Sequence, residues 1–156
     1  IPNFKVHFVG DGSMFEEMKK FVAENQLENI VFFYGRRPVD EMPEYYKLAD
    51  ACIVSLNAEN QTGLTLPAKV QGYMAAGKPI IGMISGSAQE VIAESKCGLC
   101  VDAGDIQGFS DIMREFIINH DRYKECGENG RTYFLHNYKK DIFMDKLESK
   151  FRETER

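Results

Sequence analysis

The sequence predicts an α/β fold: a mainly parallel sheet of about five strands, helices on both of its faces, and further helices at the C-terminal end. Three observations carry this. Short runs of β-branched and aromatic residues alternate with stretches whose apolar residues recur at helical spacing. Two of the strand candidates are continuous apolar runs, as expected of strands covered on both sides. Glycines fall at strand ends, where the chain must turn and where a ligand can approach the backbone.

The elements follow in order. Lys5 to Val9 reads as a strand ending in Gly10-Asp11-Gly12-Ser13. Ser13 is an N-cap candidate, with Glu16 three residues on completing a capping box. The helix that follows carries Phe15, Met18, Phe21 and Val22 on one face and runs to about Glu24. Ile30 to Tyr34 is a continuous apolar run, hence a buried strand, ending at Gly35-Arg36-Arg37-Pro38. Met42, Tyr45, Tyr46, Leu48 and Ala49 mark a short helix opened by Pro38 to Glu41. Ala51 to Leu56 is the next buried strand.

Then comes Thr62 to Gly82, the stretch around which the chain is organised. It reads as a loop, a short helix opening near Pro67, a Gly77-Lys78-Pro79 turn and a strand from Ile80 to Met83. Proline suits the first turn of a helix, where its missing N–H removes no hydrogen bond. The unpaired amides of that turn, with Lys69 beside them, form a potential anion site. Further on, Ser85-Gly86-Ser87 precedes a helix with Ala88, Val91 and Ile92, and Gly98 to Val101 is a strand. Asp105 caps a helix carrying Phe109, Ile112, Met113 and Phe116. Asp121 to His136 is another helix, with Gly127 and Gly130 as weak points. Lys140 to Phe151 is a final amphipathic helix, and the tail to Arg156 is charged and frayed.

The totals bound the class. At 156 residues the chain is one domain by length. It is 44% hydrophobic and 28% charged, like other globular domains. Lys+Arg 19 against Asp+Glu 24 argues against a nucleic-acid partner held by a basic face. No apolar run approaches the roughly 20 residues needed to span a bilayer, and no signal peptide is visible. Cys97-Gly98-Leu99-Cys100 has C-x-x-C spacing, but a zinc site needs a second ligand pair that the sequence does not offer. The four cysteines, Cys52, Cys97, Cys100 and Cys126, read as reduced core residues of a cytoplasmic protein. The abrupt start, Ile1-Pro2-Asn3 running straight towards a strand, reads as a fragment of a longer protein.

Several motifs have residues that could carry chemistry. Gly10-Asp11-Gly12 has two glycines of a dinucleotide fingerprint, but Phe15 stands at the third position. A tight turn and a ligand contact are both open there. Arg36-Arg37 is either a solvated pair or a wall for a base or phosphate, to which arginine is suited by stacking and bidentate contact. Lys69 is unfavourably placed against the helix dipole unless an anion shares the site. His7, His120 and His136 are scattered and near no convincing Ser, Cys or carboxylate partner, so no catalytic residue is assigned. Glu90 suits a first helical turn without any function.

The ordered set F-V-G-D-G, V-F-F-Y-G-R, Y-Y-K-L-A-D-A-C-I-V-S-L, Y-M-A-A-G-K-P-I-I-G, G-S-A-Q-E-V-I and C-G-L-C-V resembles the C-terminal, nucleotide-sugar-binding half of group 1 glycosyltransferases. The likeness runs from about Lys5 to Tyr138 and is closest to the bacterial branch that builds capsule, lipopolysaccharide and other surface glycans. It implies a Rossmann-like, three-layer α/β/α half of a GT-B fold. Residues 1–138 would form the donor-binding domain and residues 139–156 its C-terminal helix and tail. An N-terminal acceptor domain and a first strand-helix unit would be absent from the fragment.

The resemblance implies retaining transfer from a nucleotide-sugar, a UDP-sugar first, to a glycan or lipid-linked acceptor. No metal or other cofactor is expected. The donor site would comprise Gly10, Gly12, Gly35, Arg36, Arg37, Thr62, Gly63, Leu64, Thr65, Leu66, Pro67, Ala68, Lys69 and Gln71. The diphosphate would lie at the helix opening near Pro67 and the base against Gly35-Arg36-Arg37. The family commonly carries two glutamates that align with Leu64 and Gly72, and both are lost here; Gln71 and Glu59 are candidate substitutes. Lacking its first strand, the sheet would need to close a gap or be completed by another chain, so a homodimer or an altered sheet is expected. A fragment of this kind would not turn over alone. The full protein would be cytoplasmic, and peripheral association with the inner face of the membrane is compatible with the likeness. The alternatives are a non-catalytic nucleotide-binding module and half of a sugar-nucleotide epimerase. A phosphate-accepting receiver domain fits worse, because Asp50 precedes its strand rather than ending it.

Overall fold

The computed structural model describes residues 4–56 and 66–154. The chain divides into two compact units, residues 1–45 and 46–156.

In the first unit, β1 (Val6–Phe8) pairs in parallel with β2 (Val31–Phe33), and His7 stands opposite Phe32. Between them runs α1 (Phe15–Glu24). The expected Ser13 cap does not form. The N-cap is Met14, with no side-chain bond, and the helix starts at Phe15. At that first position the half-buried Phe15 ring meets Phe33 edge-on at 5.5 Å, a contact of the same order as a polar cap. Gln26, at φ 55, ends the helix. Contrary to the buried strand read from Ile30–Tyr34, β2 is half-buried throughout. A 3-10 turn, Val39–Glu41, then leads into α2 (Met42–Leu48), which crosses into the second unit.

The second unit holds β3 (Cys52–Ser55), β4 (Ile80–Met83) and β5 (Gly98–Val101), all parallel, in the order β3-β4-β5. The expected strands therefore all form, but as a pair and a triplet rather than one sheet of five. Among the described residues β1 has β2 as its one strand partner, and β3 has β4. β3 also departs from the fully buried run expected of it. Cys52 and Val54 are buried while Ile53 and Ser55 are exposed. The core is built from Val54, Val70, Met74, Ile80, Ile84, Ala88, Ile92 and Cys97. Val70 and Met74 come from α3 (Ala68–Ala75) and Ala88 and Ile92 from α4 (Ser87–Ser95). Their four-residue spacing puts each pair on one helix face.

α5 (Ile106–Ile118) starts as the sequence predicts, with Asp105 accepting a hydrogen bond from the Gly108 amide at 2.8 Å. A 3-10 turn at His120–Tyr123 precedes α6 (Lys124–Asn137), and α7 (Lys140–Thr154) follows. Gly127 and Gly130 are not weak points. Both are buried, and Gly127 lies so close to the Gly77 carbonyl that any side chain there would collide with it. Arg131 Nη1 donates to the Ala75 carbonyl at 2.6 Å and Asn129 Nδ2 to that of Lys96 at 3.3 Å. α6 thus ties down the turns that follow α3 and α4. None of the helices among the described residues is long and apolar enough to cross a membrane.

Candidate functional site

α3 presents the strongest candidate for anion binding. Pro67 is its N-cap, at φ −61 and ψ 140, one position ahead of the first-turn role expected for it. The Pro67 carbonyl accepts from the Val70 amide at 3.0 Å and, more weakly, from that of Gln71 at 3.5 Å. The amides of Ala68 and Lys69 have no intrahelical acceptor, as the first amides of any helix lack one. Lys69 is exposed and Gln71 half-buried, and no acidic residue occupies the first turn. The helix is held from beneath by its buried face and by Leu66, which packs on the core. The positive end of the dipole and a lysine thus stand together with no acid among the described residues of that turn. Thr62, Gly63, Leu64 and Thr65, expected in the same site, and Glu59 lie outside the described residues.

The first unit carries the other candidates. The Gly10 amide donates to the Gly35 carbonyl at 2.8 Å, so the loops that follow β1 and β2 are bonded to each other. Both glycines have positive φ, 139 and 65, a conformation that a side chain would resist. The Gly12 carbonyl accepts from the Phe15 amide at 2.9 Å, which spends it on the entry to α1. Arg36 and Arg37 are both exposed. Arg37 Nε donates to the Tyr34 carbonyl at 3.1 Å. The structure therefore joins Gly10, Gly35 and Arg37 in one bonded loop pair, and separately gathers Leu66, Pro67, Ala68, Lys69 and Gln71 at one helix end.

Sequence reasoning missed Tyr34. Its hydroxyl lies 2.9 Å from His7 Nδ1, and its ring packs against His7 and Tyr45 at 5.6 and 5.2 Å. The signal was available in the period-two pattern, which puts Lys5 with His7 and Phe32 with Tyr34 on one face. Also missed were contacts at the ends of β4 and β5. Ser85 Oγ accepts from the Ala103 amide at 2.9 Å, and Gln89 Nε2 donates to Asp102 at 2.8 Å.

Each histidine has a polar neighbour. His7 bonds Tyr34, His120 lies 3.2 Å from Asp121, and His136 Nδ1 lies 2.8 Å from the Thr132 carbonyl. All four cysteines are free. Burial pushes the Cys52 thiol up to about 11 although nearby Lys78 acts the other way. Burial likewise raises Cys100 to about 11. Thiols so protonated are poor nucleophiles. Among the described residues no group of three or more His, Cys, Asp or Glu could hold a metal ion.

The family described as glycosyl transferases group 1 matches residues 1–133. The chain is similar to a GDP-mannose-dependent alpha-(1-6)-phosphatidylinositol monomannoside mannosyltransferase of Mycobacterium tuberculosis, at 28% identity over 89% of this chain and 37% of that protein. It is 26% identical, over 70% of its length and 27% of the other, to the amylovoran biosynthesis glycosyltransferase AmsK of Erwinia amylovora. Its fold matches that of Alr3699/HepE from Anabaena, solved in complex with UDP. The TM-score is 0.83 at 18% identity, covering 98% of this chain and 42% of that one. The chain thus spans little more than a third of the mycobacterial relative's length.

Proposed function

The chain belongs to the group 1 glycosyl transferases, and from that premise we propose that it supplies the donor site of a retaining enzyme that uses a UDP-sugar. The observation that carries this reading is the start of α3, where Lys69 stands in a first turn that holds no acid among the described residues and whose first amides have no acceptor within the helix. A diphosphate bound there would receive N–H donors, the positive dipole end and the lysine charge together. When the bond from sugar to phosphate breaks, negative charge grows on the leaving diphosphate. Groups already aimed at it stabilise that charge without reorganising, which is the larger part of such catalysis. Gly10, Gly12, Gly35 and Arg36 are the proposed nucleotide contacts of the first unit.

The names of the relatives support a glycan or lipid-linked acceptor, since one acts on a phosphatidylinositol mannoside and the other in amylovoran synthesis. Acceptor binding would belong to parts of the full protein outside this chain. In that reading no metal is needed, because Lys69 and the α3 amides offset the leaving-group charge. One observation favours the non-catalytic alternative: the position that aligns with a family glutamate is Gly72, which offers no carboxylate to a ribose.

Calorimetric titration of the full-length protein with UDP and with GDP tests the reading. UDP should bind, and Lys69→Ala should weaken it by roughly tenfold, the usual loss for one charge-assisted contact. Absence of binding, or a Lys69→Ala variant that binds as tightly as the parent, would sink the assignment. Tight UDP binding with neither transfer nor hydrolysis of UDP-sugars would favour the non-catalytic module.

A further inference from the structure

We infer that the adjacent arginines divide their roles: Arg37 is a positioning residue that anchors the loop after β2, and Arg36 alone meets the nucleotide. The inference rests on the donor-site reading above and assigns specific work within it. Tyr34 is the fixed point. Its amide donates to the Phe8 carbonyl at 2.9 Å, which ties it to the end of β1. Its hydroxyl and ring are held by His7 and Tyr45. Its carbonyl, the last before the Gly35 turn, accepts from Arg37 Nε at 3.1 Å. The Arg37 side chain therefore folds back three residues and closes the loop. The Gly35 carbonyl is meanwhile bonded to Gly10. The chain is pinned on either side of Arg36, and Arg36 is exposed with no polar partner among the described residues.

A guanidinium whose Nε is committed to a backbone carbonyl has lost part of its fork, whereas a free one can offer five donors to a phosphate or its plane to a base. The same loop thus holds one arginine so that the other is presented from a fixed backbone.

Glutamine separates the two roles. Its Nε2 lies as many bonds from Cβ as arginine Nε does, so Arg37→Gln keeps an N–H donor at the same reach and removes the charge. Arg37→Met keeps the stem and has no donor. UDP is titrated into the full-length protein and into Arg36→Gln, Arg37→Gln and Arg37→Met, with melting curves to confirm folding. Arg37→Gln should stay within about twofold of the parent, Arg37→Met should bind about threefold to tenfold more weakly, and Arg36→Gln roughly tenfold or more so. Equal losses for Arg37→Gln and Arg37→Met would show that Arg37 acts through its charge and would overturn the division. Parent-like binding by Arg36→Gln or by Arg37→Met would overturn it too. A ligand-free readout stands apart: in nitrogen-15 spectra the Arg37 Nε–H should exchange slowly without nucleotide and that of Arg36 only with it. If the parent binds no nucleotide, the donor-site reading fails and takes the role of Arg36 with it. The exchange rates then still decide whether Arg37 is anchored.

Discussion

Gly72 shows most directly how a single residue bears on this chain. It lies in the middle of α3, where glycine costs roughly 0.5–1 kcal/mol relative to alanine. A Cβ there would have one neighbour within 4 Å, the Tyr46 hydroxyl at 3.8 Å, an ordinary contact. Gly72→Ala should therefore raise stability by about 0.5–1 kcal/mol, read as a higher melting temperature or denaturant midpoint. A loss instead would mean that the small residue is needed for packing. Lys69 stands out in the sequence because a lysine in a first turn conflicts with the helix dipole, and it does lie in the first turn of α3. Ser13 is the counterexample. Its capping-box spacing is present, yet the helix opens at Phe15, whose half-buried ring meets Phe33. A capping hydrogen bond is worth about 1 kcal/mol and an edge-to-face aromatic pair about 0.5–1.5 kcal/mol, so the two are of similar size and the local spacing does not decide between them.

At the scale of elements, α3 and α6 form one device. α3 carries the candidate anion site at its first turn, and α6 fixes its last. Gly127 stands against the Gly77 carbonyl, and Arg131 bonds the Ala75 carbonyl. Backbone faces backbone at Gly127, so neither side can yield by rotating a side chain. Gly127→Ala should thus cost about 1–3 kcal/mol through overpacking, measured by urea unfolding. An unchanged midpoint would refute the tight approach. Periodicity alone made these glycines look like weak points, since a glycine inside a helix is unfavourable in isolation. Their benefit comes from an element some fifty residues earlier in the chain, and a local pattern cannot contain it.

Across the whole molecule, buried acids set the response to pH. Cys52 and Cys100 are each pushed up to about 11 and Tyr73 to about 12, burial being the leading cause in all three. An unfolded thiol loses its proton near pH 9, while the folded one holds it for about two further units. Between those values the unfolded state binds fewer protons, so stability falls as pH rises. Chemical denaturation should show a plateau below about pH 9 and a progressive loss up to about pH 11. Stability that rose over that interval would mean these thiols are not buried as protonated groups. The alternation of strands and helices, the parallel pairing it demands, the Asp105 cap and the lysine at a helix opening were determined by the sequence itself, because each follows from periodicity or from chemistry within one or two turns. The split into a strand pair and a triplet, the exposed face of β3, the seating of Gly127 and the bond from Arg37 to Tyr34 were decided only in three dimensions. Each depends on which distant segment comes to lie alongside, and that is settled by the combined burial of many residues, not by any one stretch.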